Sequence, residues 1–183
     1  MRIEALTGLI ENVPLVASPN FDARPAGEIS LVVVHGISLP PGEFGGPWVH
    51  DLFCNRLDPA LHPYFDRIKD LRVSAHVFIR RDASLVQFVP FTGRAWHAGQ
   101  SSFEGRERCN DFSIGVEVEG ADDVPYEPAQ YEALESLIRA LIRAYPGITP
   151  ARVVGHCHIS PGRKTDPGPS FDWTALRRRI GAA

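Results

Sequence analysis

The run Leu31-Val32-Val33-Val34-His35 constrains the fold of this chain more than any other segment. It carries aliphatic residues without alternation, which suits a strand buried on both faces at the centre of an α/β sheet. Residues 76–81 and 84–89 are β-rich runs flanking Asp82-Ala83 and read as a hairpin. In Ser113-Ile114-Gly115-Val116-Glu117-Val118-Glu119 the alternation sends Ile114, Val116 and Val118 to one face and Ser113, Gly115, Glu117 and Glu119 to the other. Tyr131, Leu134, Leu137, Ile138, Leu141, Ile142 and Tyr145 follow the helical period, so a helix is predicted over 128–145 with Pro128 in its first turn. Residues 152–156 read as a last short strand, and 171–180 as a C-terminal helix capped by Ser170. Short helical pieces are expected over 48–55 and 59–65, and the first 20 residues read as an irregular lead-in. These elements give an α/β fold with a mixed central β-sheet flanked by helices. At 183 residues, without repeats or a dividing linker, the whole of 1–183 reads as a single domain.

Composition excludes several functions. There are 19 Lys+Arg against 22 Asp+Glu, a net charge of −3, which argues against a nucleic-acid partner bound through phosphate neutralisation. The longest purely aliphatic run is far too short to span a membrane, and the N-terminus lacks the basic and apolar regions of a secretory signal. Three cysteines are too few for a disulfide framework. The expectation is a soluble, cytoplasmic protein. Its 16 Gly and 16 Pro, more than ordinary usage, imply long shaped loops, chiefly Gly36–Pro47 and Pro161–Pro169.

His35 and His156 each close a short apolar strand, and strand ends are where α/β proteins assemble their sites. Asp166 follows His156 by ten residues, inside Lys164-Thr165-Asp166-Pro167-Gly168-Pro169, where prolines fix the backbone. Two imidazoles and a carboxylate leave a tetrahedral Zn2+ one open position, as catalytic zinc requires. A lone histidine at a strand end is more commonly structural; three candidates closing separate elements strengthen the metal reading without making it the commoner one. Glu117 is a candidate general base if its face points into the site. Lys164 is a candidate oxyanion stabiliser, and Arg72, Arg106 and Arg108 are candidates for binding carboxylates. Cys157 reads as a structural residue, and His50, His62, His76 and His97 show no ligand-like spacing. No G-x-x-x-x-G-K-[ST], G-x-S-x-G or H-E-x-x-H pattern occurs, which weakens nucleotide hydrolase, serine esterase and zincin readings.

The segments LVVVHGISLPPGEFGGPWV from Leu31, HPYF from His62, LRVSAHVFIRRD from Leu71, RAWHAGQSSFEGRERCNDFSIGVEVEG from Arg94 and GHCHISPGRKTDPGPSFDW from Gly155 carry a resemblance. Across most of the chain it resembles the zinc amidase family that includes cytoplasmic anhydro-muramyl-L-alanine amidases, peptidoglycan recognition proteins and phage amidase lysozymes. The resemblance implies a mixed sheet flanked by helices, and His35, His156 and Asp166 as zinc ligands. It implies Glu117 as the residue activating the zinc water, Lys164 as the transition-state lysine, and Arg72 and Arg108 as contacts to a muropeptide. His158 matches no ligand position. Gly36 departs from the pattern, which has Asn there, and this bears on a substrate hydrogen bond rather than on the metal. The implied activity is hydrolysis of the amide between 1,6-anhydro-N-acetylmuramic acid and L-alanine in peptidoglycan recycling. The implied partner is this small-molecule muropeptide, with no nucleic acid, membrane or obligate protein partner. The alternative is a non-catalytic muropeptide-binding module on the same fold; such modules typically lack a zinc ligand.

Overall fold

A computed structural model describes residues 1–181. The chain opens with an antiparallel pair, β1 (Ile3–Glu4) and β2 (Leu9–Ile10), then β3 (Phe21–Ala23) and the long strand β4 (Leu31–Ile37). Helices α1 (Trp48–Phe53) and α2 (Pro63–Ile68) precede the hairpin β5 (Val77–Ile79) and β6 (Leu85–Gln87). After β7 (Gly93–Ala95) come a small hairpin, β8 (Ser102–Phe103) and β9 (Arg106–Glu107), and the long strand β10 (Ser113–Glu119). Helix α3 (Pro128–Ala144), strand β11 (Val153–Gly155), and helices α4 (His156–Ile159) and α5 (Trp173–Ile180) complete the order.

The central sheet runs β11-β4-β10-β5-β6, with β6 antiparallel to β5 and the other pairings parallel. The mixed sheet expected from the hairpin is present. Val32, Val34, Val77, Ile79, Ile114, Val116 and Val118 face one layer, where Leu134, Leu137, Ile138 and Leu141 of α3 and Leu176 and Ile180 of α5 cover them. Gln130 ties the start of α3 to this sheet: its Oε1 accepts from Glu127 N and its Nε2 donates to the carbonyl of Glu119 at the end of β10. The opposite face carries two separate apolar clusters. One gathers Phe53, Phe65, Phe78 and Phe88 around α1 and α2, and the other gathers Leu31, Val33, Cys109, Phe112 and Ile159. The polar side chains of that face lie between them.

Several boundaries differ from the expectation. The lead-in contains the β1–β2 hairpin, whose Ile10 enters the main core. Strand β4 continues through Gly36 to Ile37 because β10 pairs with it as far as Glu119. Residues 59–65 divide into a 3-10 turn at Pro59–Leu61 and α2. The last strand stops at Gly155, and the backbone N–H of Cys157 turns to the carbonyl of Asp166. His156 therefore opens α4 rather than closing a strand. Helix α5 is capped by Asp172, whose carboxylate accepts from Ala175 N, while Ser170 N donates to the carbonyl of Asp122.

Candidate metal centre

Parallel pairing sets the site. Register places Glu117 on β10 directly beside His35 on β4, and Gly155 on β11 beside Val34, so His156 follows one residue on. Three neighbouring strands thus deliver Glu117, His35 and His156 side by side at their carboxyl ends, the edge where α/β sheets bind ligands. Asp166 arrives from the loop after α4. They line a cavity of about 750 Å3, whose walls include Lys164, Asp122, Leu39, Phe53 and Tyr64.

His35 Nδ1 lies 3.0 Å from His156 Nδ1, and each is 3.1 Å from the same Oδ2 of Asp166. His156 Nε2 is 3.1 Å from the carbonyl of Ala98, which only accepts, so a neutral His156 carries its proton there and presents a bare Nδ1. Three lone-pair atoms then face one another, an arrangement repulsive without a cation and close to one face of a tetrahedron with bonds of about 2 Å. The donor set fits zinc. Burial would raise the Asp166 carboxyl, but whenever His156 and His35 carry a proton on Nδ1 their hydrogen bonds to it outweigh burial and hold it far below the carboxylate range. Burial pushes His35 down to about 4, keeping it neutral as a ligand must be.

Glu117 is buried, and its Oε2 has no hydrogen-bond partner. Burial, reinforced by the Asp166 charge and opposed by Lys164, pushes its carboxyl well above the ordinary range. A dication nearby would act in the opposite sense, favouring the carboxylate. The arrangement offers an open metal face beside a dry carboxyl group and a lysine, which is the equipment of metal-assisted hydrolysis.

The pattern of the N-acetylmuramoyl-L-alanine amidase family matches residues 25–169. The chain belongs to this family. It is 58% identical over 174 residues to the 1,6-anhydro-N-acetylmuramyl-L-alanine amidase AmpD of Citrobacter freundii, covering 94% of this chain and 92% of that protein. The crystal structure of a selenomethionine AmpD derivative superposes with a TM-score of 0.94 at 55% identity, covering 98% of this chain and 99% of that one. The Escherichia coli amidase AmiD, solved in complex with the substrate anhydro-N-acetylmuramic acid-L-Ala-D-γ-Glu-L-Lys, gives a TM-score of 0.61 at 31% identity over 86% of this chain and 60% of that one.

In this amidase the structure brings His35, His156, Asp166, Glu117 and Lys164 to one cavity, as the sequence led one to expect. The two arginines are elsewhere. Arg72 is exposed and donates to the carbonyls of Lys69 and Leu71, although its neighbours Leu71 and Val73 line the cavity. Arg108 is exposed, with Nε 3.3 Å from Asp111 Oδ2, and lines a second depression of about 380 Å3. Arg163 borders both spaces and donates to the carbonyls of Ala98 and Gln100. Arg106 lies over the Phe112 ring. Glu119 pins loops rather than entering the site, accepting from Gly45 N and Arg81 N. His158 is turned away by α4, accepting from Gly155 N and packing on Trp173. Cys157 is half-buried on the same turn and unpaired. No helix is long and apolar enough to cross a membrane among the described residues.

Sequence spacing missed two buried imidazoles behind the candidate metal site. His97 meets His35 edge-on with ring centroids 5.1 Å apart, and His76 meets His97 at 5.7 Å. Gly115 N donates to His76 Nδ1, so His76 Nε2–H points to the carbonyl of Gly93. Burial and the adjacent Arg24 guanidinium drive His76 down to about 3. Burial, with His35 next in effect, likewise keeps His97 neutral. The signal available in the sequence was Gly115, since glycine inside a strand marks a close approach. A Cβ there would lie 2.4 Å from Cγ of His97.

Gly36 has a similar explanation. A Cβ at this position would lie 2.2 Å from the Tyr126 hydroxyl and 3.2 Å from Pro167 Cα. The phenol occupies the space that the expected Asn would need, and its hydroxyl donates to the carbonyl of Pro167, next to Asp166.

Proposed function

We propose that this amidase hydrolyses the amide between the lactyl group of 1,6-anhydro-N-acetylmuramic acid and L-alanine of the stem peptide, with Zn2+ held by His35, His156 and Asp166. The observation that carries it is the convergence of His35 Nδ1, His156 Nδ1 and Asp166 Oδ2 beside the unpartnered Oε2 of Glu117. The activity of the AmpD relative from Citrobacter freundii and the substrate seen with AmiD point to the same amide. Zinc, when bound, supplies Lewis acidity at the scissile carbonyl and acidifies water at its open position.

The chain's own residues do the rest. Glu117 accepts the proton of the attacking water at its carboxylate and returns it to the departing amine of L-alanine, a transfer favoured by a dry carboxyl whose proton affinity is already raised. Lys164 holds the developing oxyanion by its ammonium charge. The cavity walls Leu39, Phe53 and Tyr64 give an apolar surface for the sugar ring. Arg72 and Arg108, exposed outside the cavity, would take carboxylates of the stem peptide where it extends beyond the site.

We read 1–183 as one amidase domain. The segments outside 25–169 support this, since Ile10 before it and Leu176 and Ile180 after it share the main core. The reading places the enzyme in the cytoplasm, where it meets the small soluble fragment returned from the wall. Three unpaired cysteines agree with a reducing compartment. The test is incubation of the zinc-loaded protein with anhydro-muropeptides and with intact peptidoglycan, with products identified by mass. Release of free stem peptide from the anhydro-muropeptide is the expected result, and no cleavage of either substrate overturns it in favour of a binding module.

A further inference from the structure

We propose that His97 is a positioning residue of the metal centre, accepting the Nε2–H of His35 and so keeping the Nδ1 lone pair of His35 turned to the metal. The inference rests on His35 being a zinc ligand. A neutral imidazole carries one N–H, so a ligand bonding through Nδ1 must keep its proton on Nε2. In His35 that nitrogen lies 3.0 Å from His97 Nδ1, with both rings buried. His97 Nδ1 must then be bare and its own proton must sit on Nε2, 3.1 Å from Ser113 Oγ, which accepts it. Each tautomer dictates the next, from the metal face into the sheet.

The two ligand histidines are held by different means. His156 Nε2 lies 3.1 Å from a backbone carbonyl, which only accepts and so favours the proton on Nε2, with the more distant Arg163 Nη2 at 3.5 Å. His35 Nε2 instead meets the imidazole of His97, which in turn meets the hydroxyl of Ser113, and both of these groups can donate or accept. Run the other way, Ser113 donates to His97, His97 donates to His35 Nε2, and His35 donates from Nδ1 to Asp166 Oδ2 at 3.1 Å, which closes the site to a cation. Metal binding selects the open direction, and His97 is the link through which it does so. The fold holds His97 for this. Its backbone N–H and that of Ala98 both donate to Asn110 Oδ1, and Gly115 leaves room for its ring. Partners that orient ligand histidines in this way are typically worth about 10- to 100-fold in metal affinity.

The test measures zinc dissociation constants by competition with a chelating dye, with the melting temperature of the zinc-free proteins as a control for damage to the fold. His97→Leu and His97→Asn are nearly equal in size, but only Asn places an acceptor oxygen where Nδ1 stood. The expected result is zinc affinity weakened about 10- to 100-fold in His97→Leu and recovered to within about threefold of the parent in His97→Asn. Affinity in His97→Leu within about twofold of the parent, or equal losses in the two variants, overturns the proposal. Should His97→Leu fail to fold, Ser113→Ala carries the test by removing the acceptor for His97 Nε2–H. Weaker zinc binding there supports the relay, and unchanged binding overturns it. His35→Ala separates the two readings. If it retains zinc at full affinity, the ligand assignment falls and the proposal with it; if it loses zinc while His97→Leu does not, the positioning role alone falls.

Discussion

Replacing Gly36 by Ala tests how the fold holds Asp166, the carboxylate of the proposed metal site. The new Cβ would stand 2.2 Å from Tyr126 Oη, with Pro167 Cα next at 3.2 Å, so the phenol must yield. It has little room, because a Cβ on Gly120 would already lie 2.3 Å from Cε1 of the same ring. Moving the ring sacrifices the 2.9 Å bond from Tyr126 Oη to the carbonyl of Pro167, worth about 1 kcal/mol. Overpacking adds about 1–3 kcal/mol. Gly36→Ala should therefore destabilise the zinc-free protein by about 2–4 kcal/mol in urea denaturation, and weaken zinc binding through Asp166. Tyr126→Phe removes the clashing atom along with the bond and should cost about 1 kcal/mol. Added to Tyr126→Phe, Gly36→Ala meets only Pro167 at close range, so the double variant should fall short of the summed losses by about 1–3 kcal/mol. Additivity of the two changes, or a Gly36→Ala loss below about 0.5 kcal/mol, refutes the reasoning.

Each of His35→Ala, His156→Ala and Asp166→Ala should lower zinc content after dialysis, measured by elemental analysis; full retention in all three removes the metal assignment. Glu117→Gln should keep zinc while kcat falls about 10²- to 10⁴-fold, and unchanged turnover in the zinc-loaded variant removes the general-base role. The same variant carries a pH signature in the metal-free protein. The folded-state value of Glu117 is raised by burial, so its favourable contribution is complete below the unfolded value of about 4.3 and is lost as pH rises through the folded value. Metal-free Glu117→Gln should then be more stable than the metal-free parent at pH 8, with the gap closing toward pH 4. A gap in urea denaturation that instead opens toward acid contradicts the assignment. Lys164→Ala should lower kcat by about 10²-fold, and a change confined to KM would make Lys164 a substrate-orienting residue instead.

What the sequence reveals follows the reach of each interaction. The buried run at 31–34, the alternation of Ser113–Glu119 and the 3.6-residue period of α3 are local patterns set by which faces are covered, and each element appears near its expected bounds. His35, Glu117 and His156 are nearly as legible, because parallel neighbours in register bring strand ends together. The residues that hold the site were harder to see. His97 sits beyond β7 and reaches His35 only because its ring packs over β10 at Gly115, where no side chain stands in the way. Tyr126 reaches Pro167 only because Gly36 and Gly120 leave a slot for its ring. In both cases the side chain is unremarkable in sequence and the informative residue is the missing one opposite. Spacing rules look for groups that act, whereas a glycine inside a strand reports that another group needs its space. The departure at Gly36 and the overlooked His97 therefore have one physical origin: the groups that support the proposed metal ligands press on the strand backbone itself, Tyr126 at Gly36 and His97 at Gly115, and the sequence records it as the absence of a Cβ.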